Sequence, residues 1–220
     1  MGTTWKRAPW QNRAHAGALL SQRLTAWSHA EHALVLGLPR GGVVVAAAVA
    51  QFLHLPLYTW AVRKIGHPGD PEYAIGAIAP GGVLLWDKNA RHLDRHLLLK
   101  LVSEQNLELQ RRQALYGDPP METIQHHTLI VVDDGIATGL TMRAALESIR
   151  KTSPDRVVVA VPVIHQQIAQ ELRNSAVELI ALAEVDELWS VGAWYQSFPA
   201  VDDQEVIDLL RATNAANRQP

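Results

Sequence analysis

A chain of 220 residues, 48% of them hydrophobic, is long enough to bury one ample core and to carry a small additional lobe. Its formal net charge of −2 gives no electrostatic reason to expect nucleic acid as a partner. The absence of cysteine excludes disulfides, thiolate metal sites and cysteine nucleophiles, and no apolar stretch approaches the length that crosses a bilayer. We therefore expect a cytoplasmic protein that binds neither nucleic acid nor a membrane.

The first elements of the chain form a βαβ unit. Apolar periodicity predicts a helix over residues 12–27. The apolar run Ala33–Gly37 predicts a buried parallel strand, and the alanine- and valine-rich residues 43–53 predict a tightly packed helix. A second strand is predicted over residues 56–62, and its crossover from the first should be right-handed.

Residues 63–118 are predicted to form a semi-independent lobe inserted between strands of the main sheet. Glycines, prolines and charges over residues 63–73 predict a long mobile loop. A hairpin follows, with strands at residues 74–79 and 83–86 on either side of a Pro-Gly-Gly turn. The long helix predicted over residues 91–116 has a leucine stripe but no sustained heptads, so we expect it to pack against the sheet.

The rest of the chain alternates strands with helices. The predicted elements are strands at residues 128–132, 156–161 and 177–181 and helices at residues 140–151 and 166–174. Residues 184–220 form a tail that is aromatic and irregular at first and closes with a helix at 203–212. This alternation predicts a single α/β domain with an open, mostly parallel sheet flanked by helices.

The strongest functional signal lies where the strand 128–132 ends. Asp133 and Asp134 follow it directly, and residues 135–141 are rich in glycine and threonine and open a helix. Sheets of this class bind ligands at the carboxyl ends of their strands, and amides at a helix start can surround a phosphate. Two carboxylates would repel that phosphate, but they suit ribose hydroxyls or hydrated Mg²⁺. A sugar phosphate therefore satisfies both the carboxylate pair and the segment 135–141. The alternative is a strand that ends in solvated acids, followed by an ordinary helix cap.

Two further segments carry candidate anion-binding groups. Pro39, Arg40, Gly41 and Gly42 follow the first core strand and open a helix. Glycines let backbone amides approach an anion closely, and an arginine adds a forked cation, although the same residues also suit an ordinary turn. Arg63 and Lys64 follow the second strand, where a solvated basic pair is the alternative.

Together these segments resemble the type I phosphoribosyltransferases, most closely a group of predicted bacterial members of unassigned substrate. The resemblance extends to residues 13–17 and 191–195 and so covers nearly the whole chain. It implies that the protein binds 5-phosphoribosyl-1-diphosphate (PRPP) with Mg²⁺ and transfers the 5-phosphoribosyl group to a nitrogen acceptor, releasing diphosphate. A homodimer is the family expectation.

The resemblance also implies a role for each motif. Asp133 and Asp134 would hold the ribose hydroxyls, and the metal indirectly through water or those hydroxyls. The diphosphate would meet the loop Pro39, Arg40, Gly41 and Gly42. Arg63 and Lys64, in a flexible loop that closes over PRPP, would also meet it, in their own subunit or a neighbour's. The 5′-phosphate would be cradled by Gly135, Ile136, Ala137, Thr138, Gly139 and Thr141. The expected catalytic group comprises Asp133, Asp134, Arg40 and Lys64.

The acceptor is not specified by these motifs. Relatives that salvage 6-oxopurines carry a further acid in the phosphate loop, where this chain has Ala137, which argues against hypoxanthine or guanine. Adenine-like, pyrimidine-like and amine acceptors stay open. The tail aromatics are candidates for a hood over the acceptor, or for a hydrophobic plug or dimer contact; they are Trp189, Trp194, Tyr195 and Phe198. No general base is obvious, and the loop candidates are His67, Glu72 and Tyr73.

Two other functions stay open. A regulator that senses PRPP or a nucleotide without catalysis would be expected to show a basic face, which the charge balance does not support. A hydrolase or phosphorylase of a phosphoribosyl compound would use the same site with water or phosphate as the nucleophile. A P-loop NTPase is disfavoured because no Gly-Lys-Ser/Thr follows a glycine loop, and a dinucleotide-binding domain because no Gly-x-Gly-x-x-Gly follows a strand.

Overall fold

The computed structural model describes residues 8–175 and 177–217, apart from the side chains at positions 71, 72, 121 and 122. Glu72, one of the candidate bases, therefore lies outside the described side chains. The strands are β1 (Ala33–Gly37), β2 (Leu57–Thr59), β3 (Arg63–His67), β4 (Asp70–Ala79), β5 (Val83–Trp86), β6 (Thr128–Val132), β7 (Arg156–His165) and β8 (Glu178–Val185). The helices are α1 (Arg13–Ser21), α2 (Gly41–Leu53), α3 (Arg95–Tyr116), α4 (Met121–Ile124), α5 (Leu140–Arg150), α6 (Gln166–Asn174) and α7 (Asp203–Ala216).

The main sheet has five parallel strands in the spatial order β2-β1-β6-β7-β8. Every residue of β1 is buried, as expected for a strand that is covered on both faces. Helices α1, α2 and α7 pack on one face, against side chains such as Val35 and Ile130. Helices α5 and α6 pack on the other face, against Leu36 and Val131. The predicted fold class, an open parallel sheet flanked by helices, is therefore confirmed.

The prediction of a long mobile loop at residues 63–73 is wrong. These residues form β3 and the start of β4, which pair antiparallel and are extended by β5 into a second, three-stranded sheet. Glycine and proline favoured a loop, but Ile65 is fully buried against Ile75 and Ile78 of β4. The register shifts on either side of Gly66, so that this glycine forms a bulge within the hairpin.

Helix α3 packs against the small sheet rather than the main one. Its inner face includes Leu98, Leu101 and Leu109, which contact the cluster around Ile65. The helix begins at Arg95, because the Asp94 carboxylate caps it by accepting from Leu97 N at 3.0 Å. The predicted start at residue 91 was therefore too early.

Other predicted boundaries are wrong by several residues. Helix α1 ends at Ser21, and Thr25–Trp27 forms a separate short 3₁₀ turn. The sequence favoured the end of a strand before Pro162. Strand β7 nevertheless continues through this residue, because Val163 and Ile164 remain buried in the sheet. Strand β8 extends with it to Val185. In the described parts of the chain, no helix combines the length and the apolar character needed to cross a membrane.

Helices α1 and α2 approach each other closely at Gly17. A Cβ at this position would lie 2.7 Å from Val45 O and 2.8 Å from the Ala48 Cβ. We expect Gly17→Ala to lower the free energy of unfolding by roughly 1–3 kcal/mol, because the helices must separate. Urea denaturation measures this change. Ala18→Ser, on the exposed side of α1, is the control and should stay within about 0.5 kcal/mol of the wild type; equal effects would contradict the prediction.

Candidate active site

A cavity of about 630 Å³ opens at the carboxyl end of β6. Its floor is formed by residues 133–139 together with Thr141 and Met142, and its walls include Arg13 of α1, Lys64 of β3 and the tail residues 189–192 and 198. This volume suits a small-molecule ligand.

The two glycine-containing motifs meet because β1 and β6 end side by side, although residues 39–42 contact the carboxylates without themselves lining the cavity. Gly37 pairs with Val132, and Leu38 N donates to Val132 O at 2.9 Å. The loop that follows β1 then passes directly over the carboxylates that follow β6. A Cβ at Gly42 would lie 2.8 Å from Asp133 Oδ1, a distance that real side chains do not adopt. Glycine is therefore required here for close approach.

The two carboxylates of the site have different partners. Asp134 Oδ2 accepts from Arg13 Nε at 2.7 Å, and the Asp134 carbonyl oxygen accepts from the Tyr195 hydroxyl at 2.6 Å. Asp133 Oδ1 accepts from the backbone N–H of Asp134 at 2.9 Å. Burial, and then the neighbouring charge of Asp134, raise the pKa of Asp133 well above its ordinary value. Burial also raises the pKa of Asp134, while the hydrogen bond and charge of Arg13 oppose that increase.

Arg13 lines the cavity and pairs with Asp134, but reasoning from motifs assigned it no role. It is only 8% exposed and lies 121 positions before its partner in the chain. One signal could have identified it. Arg13 shares a helical face with Ala16, Gly17 and Leu20, which are all buried. A charge on a buried helical face requires a buried partner.

The predicted phosphate loop is held by hydrogen bonds to β7 and α5. Ile136 N donates to Val163 O at 2.9 Å, and His165 N donates to Ile136 O at 3.0 Å, which attaches the loop to β7. Arg143 of α5 donates to Thr138 O at 2.6 Å. Helix α5 begins at Leu140 without a side-chain cap. Its first N–H groups therefore remain for water or an anion.

Of the predicted cationic residues, only Lys64 lines the cavity. Arg63, the adjacent residue of β3, donates to Gln105 Oε1 of α3 through Nε and Nη2 at 3.0 and 2.8 Å. The Arg40 guanidinium lies 3.7 Å from Asp203 Oδ1 of α7. The loop glycines thus reach the carboxylates, while the side chains of Arg40 and Arg63 do not line the cavity.

These two arginines belong to a cationic region behind the cavity. Arg111 and Arg112 of α3 complete it, and its carboxylates are those of Glu108 and Asp203. Burial, and then the charge of Arg112, lower the pKa of Arg63. Hydrogen bonds from Arg111 hold the pKa of Glu108 at about 2. Three of these four guanidinium groups contact the two carboxylates and Arg63 contacts Gln105 instead, so the positive charges outnumber the negative ones and would stabilise an anion beside the 39–42 loop.

The tail aromatics divide into two groups. Trp194 and Tyr195 pack against Trp10, with ring centroids 5.9 and 5.4 Å away. Phe198 stacks on Tyr195 at 4.9 Å and has the Arg13 guanidinium over its ring at 3.5 Å. Trp189 lines the cavity and is 92% exposed. Trp194 and Tyr195 therefore support the wall, whereas Phe198 and Trp189 face the cavity.

The two described base candidates, His67 and Tyr73, contact each other through their rings, with centroids 6.4 Å apart. Neither residue lines the cavity.

Several known proteins are similar to this chain in sequence or structure. Residues 11–196 match the family model of the phosphoribosyl transferase domain. A Mycobacterium tuberculosis protein named as a candidate phosphoribosyl transferase, from strains CDC 1551 and H37Rv, is 39% identical over 203 residues. The match covers 90% of this chain and 46% of that protein, so the chain spans about half the length of these curated relatives.

The crystal structure of TT1426 from Thermus thermophilus is similar along its whole length. It has a TM-score of 0.71 and 38% sequence identity, and the match covers 91% of this chain and 97% of that one. The shared fold, the matching family model and the meeting of the two glycine-containing motifs at the carboxylates lead to the same conclusion. The chain belongs to the phosphoribosyl transferase domain family.

Proposed function

We propose that the protein binds PRPP with Mg²⁺ in this cavity and transfers the 5-phosphoribosyl group to a nitrogen acceptor with release of diphosphate. Membership of the family supports a transferase. The observation that carries the proposal is the floor of the cavity. There the Asp133–Asp134 pair is followed directly by a loop and an uncapped helix start. These two adjacent features suit the two halves of a sugar phosphate.

Each part of PRPP has a partner in this proposal. The 5′-phosphate binds the amides and hydroxyls of residues 135–141, and the ribose hydroxyls donate to the carboxylate pair. The diphosphate meets the amides at Gly41 and Gly42 and the ammonium group of Lys64. Arg40 and Arg63 contribute positive charge from outside the lining of the cavity.

The carboxylates also fit Mg²⁺. Among the described residues, only a backbone N–H donates a hydrogen bond to the partly buried Asp133 carboxylate, so a cation would stabilise its ionised form. No cluster of three or more His, Asp or Glu side chains that could enclose a metal occurs among those residues. The pair would therefore hold the ion through water and ribose hydroxyls, as magnesium sites that share substrate oxygens do. When bound, the ion supplies positive charge beside the departing diphosphate.

The transfer breaks the bond between C1 and the diphosphate oxygen, which leaves with the bonding electron pair, and forms a bond between C1 and the acceptor nitrogen. The proton of that nitrogen passes to the departing diphosphate or to water. Negative charge develops on the leaving diphosphate, and Lys64 and the loop amides stabilise it from fixed positions. The apolar side chains of Val191 and Phe198 reduce the access of water to C1. The faces of Trp189 are available to stack on a flat acceptor.

Isothermal titration calorimetry tests the proposal. We expect the wild type to bind PRPP only with Mg²⁺, and Asp133→Asn/Asp134→Asn to lose that binding. Asp186→Asn/Glu187→Gln removes the same charge from exposed positions outside the cavity and should bind like the wild type. A folded wild type that does not bind PRPP would refute the proposal. Release of diphosphate and ribose 5-phosphate without an acceptor would indicate the hydrolase instead.

A further inference from the structure

Arg13 connects three parts of the molecule that are distant in sequence. Its Nε donates to Asp134 Oδ2 at 2.7 Å, and its Nη1 donates to Pro199 O at 2.8 Å. The guanidinium also lies over the Phe198 ring at 3.5 Å. Through one side chain, α1 is joined to the carboxylate loop and to the tail.

Asp134 is joined to the tail a second time through its backbone. Its carbonyl oxygen accepts from the Tyr195 hydroxyl at 2.6 Å, and the Tyr195 ring stacks on Phe198. The tail in turn touches the phosphate loop, since a Cβ at Gly135 would lie 2.6 Å from Val191 Cγ1. Asp134 therefore connects the floor of the cavity to the wall formed by residues 189–198.

Asp133 has none of these connections. The hydrogen bond to its carboxylate comes from the adjacent Asp134 N–H, and it faces the same cavity. A carboxylate in this position is stabilised when a ligand brings hydroxyl donors or a cation. Asp134, in contrast, already has its cation, and removing one member of such a buried pair is strongly destabilising.

We propose that the two carboxylates divide their tasks. Within the pair, Asp133 supplies most of the affinity for the ribose and the metal, whereas Asp134 is mainly a positioning residue that holds Arg13 and, with it, the tail wall of the cavity. The assignment of Asp133 to binding, the binding half of this inference, rests on the proposed function. The assignment of Asp134 to positioning is its other half, the positioning half, and can be measured without any ligand.

Three single variants test the division: Asp133→Asn, Asp134→Asn and Arg13→Met. We expect Asp133→Asn to lose PRPP affinity by about 100-fold or more and to keep the melting temperature of the wild type. We expect Asp134→Asn and Arg13→Met to lose about 10-fold or less in affinity, measured at a temperature where both are folded. Their melting temperatures should fall by roughly 6–12 °C, the size expected for a broken buried pair. The melting temperature of the double variant Arg13→Met/Asp134→Asn should fall by less than the sum of the decreases in the two single variants.

Hydrogen exchange separates a positioning role from general destabilisation. In Asp134→Asn and Arg13→Met, the amides of residues 189–198 should exchange about 10-fold faster, with α3 as the unchanged internal reference. Asp133→Asn should leave both regions unchanged. If Arg13→Met does not fold, Tyr195→Phe, which removes only the hydroxyl bonded to Asp134, should raise exchange in the same residues by a smaller factor.

Two results would overturn the inference: unchanged exchange of the tail in Asp134→Asn, or a loss of PRPP affinity in that variant as complete as in Asp133→Asn. A wild type that binds no PRPP would instead refute the proposed function and the binding half of this inference. The exchange contrast would still decide the positioning half.

Discussion

Replacing Gly41 by alanine is expected to weaken Mg²⁺-dependent PRPP binding by about 100-fold, the effect of displacing binding groups by roughly 1 Å. A Cβ at this position would overlap Asp134 Oδ2 and lie 2.8 Å from Arg13 Nε. Either the Arg13–Asp134 pair separates or the loop moves away from β6. Separation of the pair alone should cost about 10-fold or less, as in Asp134→Asn. The loss of about 100-fold is expected because the loop moves and displaces the amides at Gly41 and Gly42 that are proposed to meet the diphosphate. Calorimetry at saturating Mg²⁺ measures the change.

Gly82→Ala is the control for this substitution. Gly82 has a φ of +71°, so alanine is strained there, but nothing lies within 4 Å of the added Cβ. We expect it to cost on the order of 1 kcal/mol of stability and to leave PRPP affinity unchanged. If Gly41→Ala binds PRPP as tightly as Gly82→Ala does, then the loop is not packed against the carboxylates as described.

The main sheet was predictable because its central strands are uniformly apolar. Strands β1 and β6 have the predicted bounds, Ala33–Gly37 and Thr128–Val132. A strand that is covered on both faces is a nearly continuous apolar run, so its ends are marked by the first polar or turn-forming residues. Their parallel pairing then brings the two motifs together, because parallel strands end at the same edge of the sheet. The location of the candidate site could thus be predicted from the sequence.

Contacts between distant segments could not be predicted. The β3–β4 hairpin depends on Ile65 packing against Ile75, Ile78 and Leu109, and this overrides the local preference of glycine and proline for a loop. The ion pair between Arg13 and Asp134 joins the first helix to the middle of the chain. Neither contact leaves a local pattern in the sequence beyond one arginine on an apolar helical face.

The same missed hairpin explains why Arg63 and Lys64 could not be distinguished. In a flexible loop both could face a ligand, whereas in a strand adjacent side chains point to opposite sides. In β3, Lys64 lines the cavity and Arg63 contacts Gln105 of α3. The assignment of a strand therefore changes which cation is expected to act.

We expect Lys64→Met to lower PRPP affinity by about 100-fold and Arg63→Met by less than about 10-fold, because a charge-assisted hydrogen bond contributes more than a distant charge. Ribose 5-phosphate, which lacks the diphosphate, is the control ligand, and Lys64→Met should bind it like the wild type. Calorimetry with both ligands separates loss of the diphosphate contact from loss of the whole site. A larger loss in Arg63→Met than in Lys64→Met would show that β3 rearranges on binding and brings Arg63, rather than Lys64, to the leaving group.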